Sequence, residues 1–326
     1  MNSKADFLAA LKDREYWDNR QRKLIASIER DETKLSKKLN KIYKEEAARL
    51  KRLIASYYSQ YGRENVIEYR ELLKTLPPEE AEMLIKDIDR YFNEHPEQMH
   101  LFPIRASVYK LDRLEGLGIS LQVQQFLIAD IETKLLQKHL EMVFNKSFLD
   151  SMDLLGQGAR VNRINTNLAK KFVNKTWIDG HNLSEKIYNN RNKVATHLKT
   201  EFRNSVIRGD SYADAAERIT KKFTEVSQSN AMRLIRTEGT YMLNEGAISP
   251  FENEFDEYEY SAILDSRTSE ICKALNGRKF KMKDRQAGVN FPPMHPWCRS
   301  TFRLVVDDDY IEKKTKEIVE NGKNEK

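Results

Sequence analysis

The chain has 326 residues, 33% of them charged and 40% hydrophobic, with a formal charge of +6 and a pI near 9.0. That length allows two domains with cores of their own, and twelve glycines and eight prolines are few enough to disfavour a loop-rich all-β fold. No run of 18 apolar residues and no signal-type apolar region occurs, so neither a membrane span nor export is expected, and the chain should stay in the cytoplasm where it is made.

Residues 4–62 lack proline, and their one glycine is Gly62 at the end. Apolar residues recur at helical spacing through Phe7, Leu8, Leu11, Leu24, Ile25, Ile28, Leu35, Leu39, Ile42, Leu50, Leu53, Ile54 and Tyr57. This predicts one very long helix, or two in sequence, with a narrow apolar stripe that must pack on the body, a partner or copies of itself. Basic residues crowd the other face: Lys37, Lys38, Lys41, Lys44, Arg49, Lys51 and Arg52 are the candidates for contact with DNA phosphates. A solvated charged face accounts for the same string.

A second helix is predicted from PPEEAEMLIKDIDRYFNEH, with proline at the entry, acidic residues in the first turn and Leu84, Ile88 and Tyr91 on one face. Pro96 ends it. Helical patterning resumes over residues 104–114, is expected to break at Gly116 and Gly118, and continues over 121–144. Gly156 and Gly158 suggest a domain boundary. Beyond it, Asp179 and Gly180 read as a turn and Ser184 as a helix cap; separate helices are expected from the DSYADAAERITKKF segment and over residues 229–245.

After Pro250 the period changes to two. EYEYSAILD, residues 257–265, reads as a half-buried strand, residues 268–275 as a short helix, Asn276 and Gly277 as a tight turn, and residues 302–307 as another strand. The fold class expected is α+β, predominantly α-helical, with long N-terminal helices and a helical C-terminal domain closed by a small antiparallel sheet. The expected divisions are a helical region with a charged arm over 1–155, a C-terminal domain over 156–308 and a polar tail over 309–326.

The segment NFPPMHPWCRSTF gathers prolines, a histidine, a tryptophan and a cysteine. Cys272, His295 and Cys298 could ligate zinc, but a structural zinc site takes four ligands, and Ser269 and Ser300 stand where further cysteines would serve. The reading preferred is therefore a rigid knot without a metal: the prolines fix the backbone, Phe291 and Trp297 bury large surfaces, and Arg267 and Arg299 pair with Asp265 or Glu238. No cofactor is expected. Catalysis by Cys298 and His295 with Glu238 or Asp265 has no motif behind it, since Walker A, GxSxG and HExxH sequences are all absent.

Five blocks in order, TWIDGHNLSEKIYNN, IRGDSYADAAERI, RLIRTEGTYMLNEGA, ILDSRTSEICKALNGRKF and GVNFPPMHPWCRSTF, resemble the Mu F-like head-morphogenesis proteins of tailed phages. The likeness runs from about residue 177 to about 306. Carried over by position, the family blocks fall on Arg236, Thr237 and Glu238; on Asp265, Arg267 and Thr268; and on His295, Pro296, Cys298 and Arg299. Many members have cysteines where this chain has Ser269 and Ser300, which implies that any metal is dispensable here. The resemblance implies a non-enzymatic minor head protein, bound to the portal, taken in with capsid or scaffolding proteins during procapsid assembly. It would reside in the virion interior near non-specifically bound double-stranded DNA, with a part in packaging or ejection. The alternatives are a nuclease or toxin-like enzyme with its site in the C-terminal motif, and a plain non-specific DNA-binding protein.

Overall fold

A computed structural model describes residues 13–102, 105–154, 166–306 and 310–312. The protein is predominantly α-helical with a small antiparallel sheet near the C-terminus, as the sequence predicts. The long helices are α1 (Arg14–Tyr61), α3 (Pro78–Glu94), α5 (Arg113–Leu154), α7 (Leu183–Arg208) and α8 (Tyr212–Ile248). Short helices α2 (Tyr69–Leu72), α4 (Arg105–Val108) and α6 (Thr166–Val173) connect them. The strands are β1 (Glu257–Ser261), β2 (Lys279–Lys281) and β3 (Thr301–Leu304), with the short helix α9 (Glu270–Leu275) between the first two. The boundary glycines Gly156 and Gly158, residues 4–12 and most of the expected polar tail lie outside the described residues.

The chain forms two compact units. One comprises residues 1–34, 137–182 and 233–326, and the other comprises 35–136 and 183–232. The divisions at 34/35, 136/137 and 232/233 all fall inside long helices.

In the unit made of 35–136 and 183–232, the α1 stripe is core: Leu39, Tyr43 and Leu50 are fully buried. Tyr43 packs edge-on against Phe223, and Tyr57 against Phe202. The helix ends at Tyr61, before Gly62, and α3 starts with Pro78 at its first position, where a missing N–H costs nothing. Leu84, Ile88 and Tyr91 are buried as expected.

One ion pair is deep in this unit. The Arg191 guanidinium on α7, 2% exposed, donates from Nε to Glu132 Oε2 on α5 at 2.8 Å and from Nη2 to Glu132 Oε1. Its Nη1 donates to Ser227 Oγ on α8 at 2.9 Å and to Gln125 Oε1 on α5 at 3.3 Å, while the Tyr43 hydroxyl on α1 donates to Glu132. A buried charge is tolerable only when so completely bonded.

Two expectations fail here. Gly116 and Gly118 do not break the helix; both lie in the first turns of α5. A Cβ at Gly116 would come within 2.9 Å of the buried Leu76 side chain, so this glycine permits close packing rather than ends a helix, whereas one at Gly118 would meet only the flexible end of Lys199. The second miss is that residues 212–248 form one helix, not two. TEVSQ, between the expected segments, contains neither proline nor glycine, so nothing stops propagation.

Glu46 on α1 is 3% exposed, its Oε1 has no hydrogen-bond partner, and its other oxygen is 3.8 Å from Arg49 Nη1. Burial pushes its carboxyl up to about 7 from an unfolded value of 4.5. Between those two values the folded protein holds more protons than the unfolded chain, so stability falls as pH rises through this window. Replacing Glu46 with Gln should flatten that slope and stabilise the protein at pH ~8 by about 1–2 kcal/mol. Denaturation midpoints at pH ~5 and ~8 provide the check; an unaltered pH slope would count against it.

The other unit is built around the sheet, in the order β2-β1-β3, with Tyr258 opposite Phe280 on one side and Leu304 on the other, and Tyr260 opposite Phe302. Tyr258, Tyr260 and Phe291 are fully buried, and Trp17, Phe251, Phe255 and Phe302 pack around Tyr258 and Phe291. The alternation read from the sequence holds through Tyr260; Ser261, expected on the open face with Glu257 and Glu259, is buried. Leu264 lies beyond the strand and is 62% exposed. Along α8, Gly246 lets α5 approach: an added Cβ would stand 2.5 Å from the Phe144 carbonyl oxygen.

Candidate functional site

The rare residues of the C-terminal motif converge beside β1. Ser269 caps α9, accepting from the Cys272 N–H at 3.3 Å, and so fixes Cys272 in the first turn of that helix. The segment after cis-Pro293 turns back through His295 and closes with the Cys298 N–H donating to the His295 carbonyl at 3.1 Å. The two sulfurs end 3.7 Å apart as free thiols, and His295 Nε2 is 3.3 Å from Cys272 Sγ and 2.8 Å from Ser269 Oγ. Tyr260, from β1, directs its hydroxyl at Cys272 Sγ at 3.3 Å.

Both cysteines are 3% exposed. Their ionisation is shared: the bond from the Cys298 thiol, then those from Ser269, Ser300 and Tyr260, favours the Cys272 thiolate, while the adjacent Cys272 sulfur and burial push Cys298 up. One thiol therefore gives up its proton well before the other. A cavity of 20 Å³, the size of one water, is lined here by Ser269, Cys272, His295 and Ser300 among others.

An ion cluster lies alongside. Arg299 grips Asp265 through both guanidinium nitrogens, at 2.6 and 2.8 Å, and the Arg267 N–H donates to Asp265 Oδ1 at 2.8 Å. The Arg299 bonds, then the Arg267 amide, hold the Asp265 carboxyl well below the usual carboxylate range. The expected pairing of Arg299 and Arg267 with Asp265 is thus present, the latter side chain at 3.7 Å.

Helix α8 carries the approach to β3 by a line of polar side chains. Thr237 Oγ1 accepts from the Trp297 N–H at 3.2 Å, Thr240 Oγ1 donates to the Cys298 carbonyl at 3.1 Å, and Asn244 Nδ2 donates to the Ser300 carbonyl at 3.2 Å. Sequence reasoning passed over Thr240, Asn244 and Tyr260. The signal available was the spacing of Thr237, Thr240 and Asn244, three polar residues on one face of a helix.

Two members of the motif face elsewhere. Arg236 pairs with Glu29 at 3.0 Å and Glu32 at 2.7 Å on α1, and Glu238 accepts the Trp177 indole N–H at 2.8 Å, with that indole stacked on Tyr241. Trp297 corrects the expectation of a buried anchor. It is 50% exposed and has a φ of 65°, because the turn that delivers Cys298 inward swings the residue before it outward. Phe291 is the buried anchor instead.

All seven basic candidates on α1, Lys37, Lys38, Lys41, Lys44, Arg49, Lys51 and Arg52, are exposed. Across residues 37–52 they stand against two acidic residues, Glu45 and the buried Glu46.

Among the described residues no helix is long and apolar enough to cross a membrane. Neither a curated protein nor a solved structure matches the chain. Residues 196–303, about a third of the chain, match the family described as Phage Mu protein F like protein. The region from the middle of α7 to β3, which carries the sulfur–imidazole cluster, is the part of the chain similar to that family.

Proposed function

We propose that the protein is a minor head protein of a tailed phage, bound to the portal, incorporated during procapsid assembly and held in the capsid interior near the packaged DNA. The observation that carries this reading is the Mu F-like match over residues 196–303. The C-terminal motif supports a structural rather than an enzymatic role. Glu238 accepts the Trp177 indole N–H and Asp265 is gripped by Arg299, so each carboxylate already serves a structural pairing. The contact with DNA is assigned to the exposed basic face of α1, which has the charge to neutralise phosphates without reading bases.

The test is quantitative mass spectrometry of procapsids and virions of the phage that encodes the chain. A few copies per particle, lost when the portal is deleted, is the expected result. Absence from both particles would overturn the reading. For the DNA contact, purified protein should bind duplex DNA with an affinity that falls steeply with salt, and reversing Lys37, Lys38, Lys41 and Lys44 to Glu should reduce the salt slope by several units. An unchanged slope would remove DNA from the proposal.

A further inference from the structure

The geometry points to a soft-metal site formed by Cys272, His295 and Cys298, one that takes a zinc-like divalent ion through two thiolates and one imidazole. The sequence favours a knot without metal because a fourth ligand is missing; the structure supplies a different kind of observation, the placement of the donor atoms. The three ligand atoms lie within 4.8 Å of one another. Tetrahedral bonding to zinc, with Zn–S of about 2.3 Å and Zn–N of about 2.0–2.1 Å, separates two sulfurs by about 3.8 Å and a sulfur from a nitrogen by about 3.6 Å. The sulfurs here are 3.7 Å apart and Cys272 Sγ is 3.3 Å from His295 Nε2. The third pair, Cys298 Sγ and His295 Nε2, lies within 4.8 Å, so closing the trio on an ion asks for a side-chain adjustment at Cys298 or His295.

The surroundings orient those donors. The Pro296 carbonyl, 2.8 Å from His295 Nδ1, can only accept, so in the neutral ring Nδ1 carries the hydrogen and Nε2 turns its lone pair toward the sulfurs. That is the arrangement by which an outer hydrogen bond fixes the tautomer of a metal-binding histidine. The Tyr260 hydroxyl, 3.3 Å from Cys272 Sγ, is placed to donate to a bound thiolate. The fourth position falls to the Ser269 hydroxyl or to a water, for which the adjoining 20 Å³ cavity has room. On binding, each thiol releases its proton to solvent as its metal–sulfur bond forms, and no oxidant or reductant is consumed. Two thiolates and an imidazole select zinc or cobalt over calcium and magnesium, which take oxygen ligands.

The experiment uses the full chain, stripped with a chelator, kept reduced by a phosphine and titrated with Co²⁺ alone. One equivalent should bind and produce thiolate-to-cobalt charge-transfer absorption with tetrahedral d–d bands, and Zn²⁺ should displace it. Cys272→Ser, Cys298→Ser and His295→Ala should each weaken binding by more than about 100-fold, and Tyr260→Phe by about 10-fold. Ser269→Cys guards against variants that fail to fold, because it adds a sulfur beside His295 Nε2 and should tighten binding by at least about 10-fold with the fold intact. Two results would overturn the proposal. One is a reduced wild-type chain that shows no charge-transfer band and no gain in Ser269→Cys. The other is a band whose affinity is unchanged in the folded Cys→Ser variants.

Discussion

Replacing Arg191 with methionine is expected to destabilise the protein by about 3–5 kcal/mol, read as a fall in the urea midpoint at an unchanged slope. The side chain is 2% exposed and supplies bonds to Glu132, Gln125 and Ser227 at once. Its removal strands the Glu132 carboxylate, itself 6% exposed, with only the Tyr43 hydroxyl for company. The large cost comes from that uncompensated charge rather than from loss of the attraction, because a charge pair buried together roughly offsets its own desolvation. A double variant, Arg191→Met with Glu132→Leu, should therefore recover most of the loss, and the cycle should give a coupling of several kcal/mol. If the single change costs less than about 1 kcal/mol, the pair is more hydrated than its burial implies.

The second large effect concerns Phe291. Replacing it with alanine should cost about 3–5 kcal/mol, the range for a buried aromatic that leaves a cavity. Phe291 is fully buried, edge-on to Tyr258 at 5.3 Å, tilted against Phe302 at 5.5 Å, and covered by the Arg285 guanidinium at 5.1 Å. Trp297→Ala, six residues on, should cost no more than about 1 kcal/mol, since half of that side chain is already in water. The contrast separates two aromatic residues of one short motif by their surroundings. Melting curves of the two variants side by side decide it; a Trp297 effect as large as that of Phe291 would mean that the indole is covered in solution.

Much of this was legible in the chain, and the misses have physical causes. The end of α1 before Gly62, the proline entry of α3, the short helix within residues 268–275 and the alternation of β1 as far as Tyr260 all rest on local signals, so sequence alone carries them. Gly116 misled because glycine has two uses, breaking a helix and admitting a neighbour, and only the position of Leu76 decides between them. Trp297 misled because its size suggests burial, whereas its direction is set by a left-handed turn held to Thr237. The ligand trio was visible as residue types near one another in sequence. That Nε2 and both sulfurs point to one place, with Tyr260 behind them, depends on contacts formed by the fold. The Arg191 network had no sequence signal, because its partners come from α1, α5 and α8.

That same network has a consequence for the order of synthesis. Tyr43 and Glu132 emerge from the ribosome well before Arg191, and Arg191 before Ser227. Until the third of these appears, the carboxylate of Glu132 has no cation to meet and must stay hydrated, so α1 and α5 cannot close upon each other as they do in the finished unit. The sheet imposes the same delay further on, since β1 gains its β3 neighbour only when Thr301 to Leu304 are made. A nascent chain that stops between Glu132 and Arg191 is thus held open by its own charge. During translation that leaves the apolar stripe of α1 exposed to chaperones longer than its helical propensity alone would suggest.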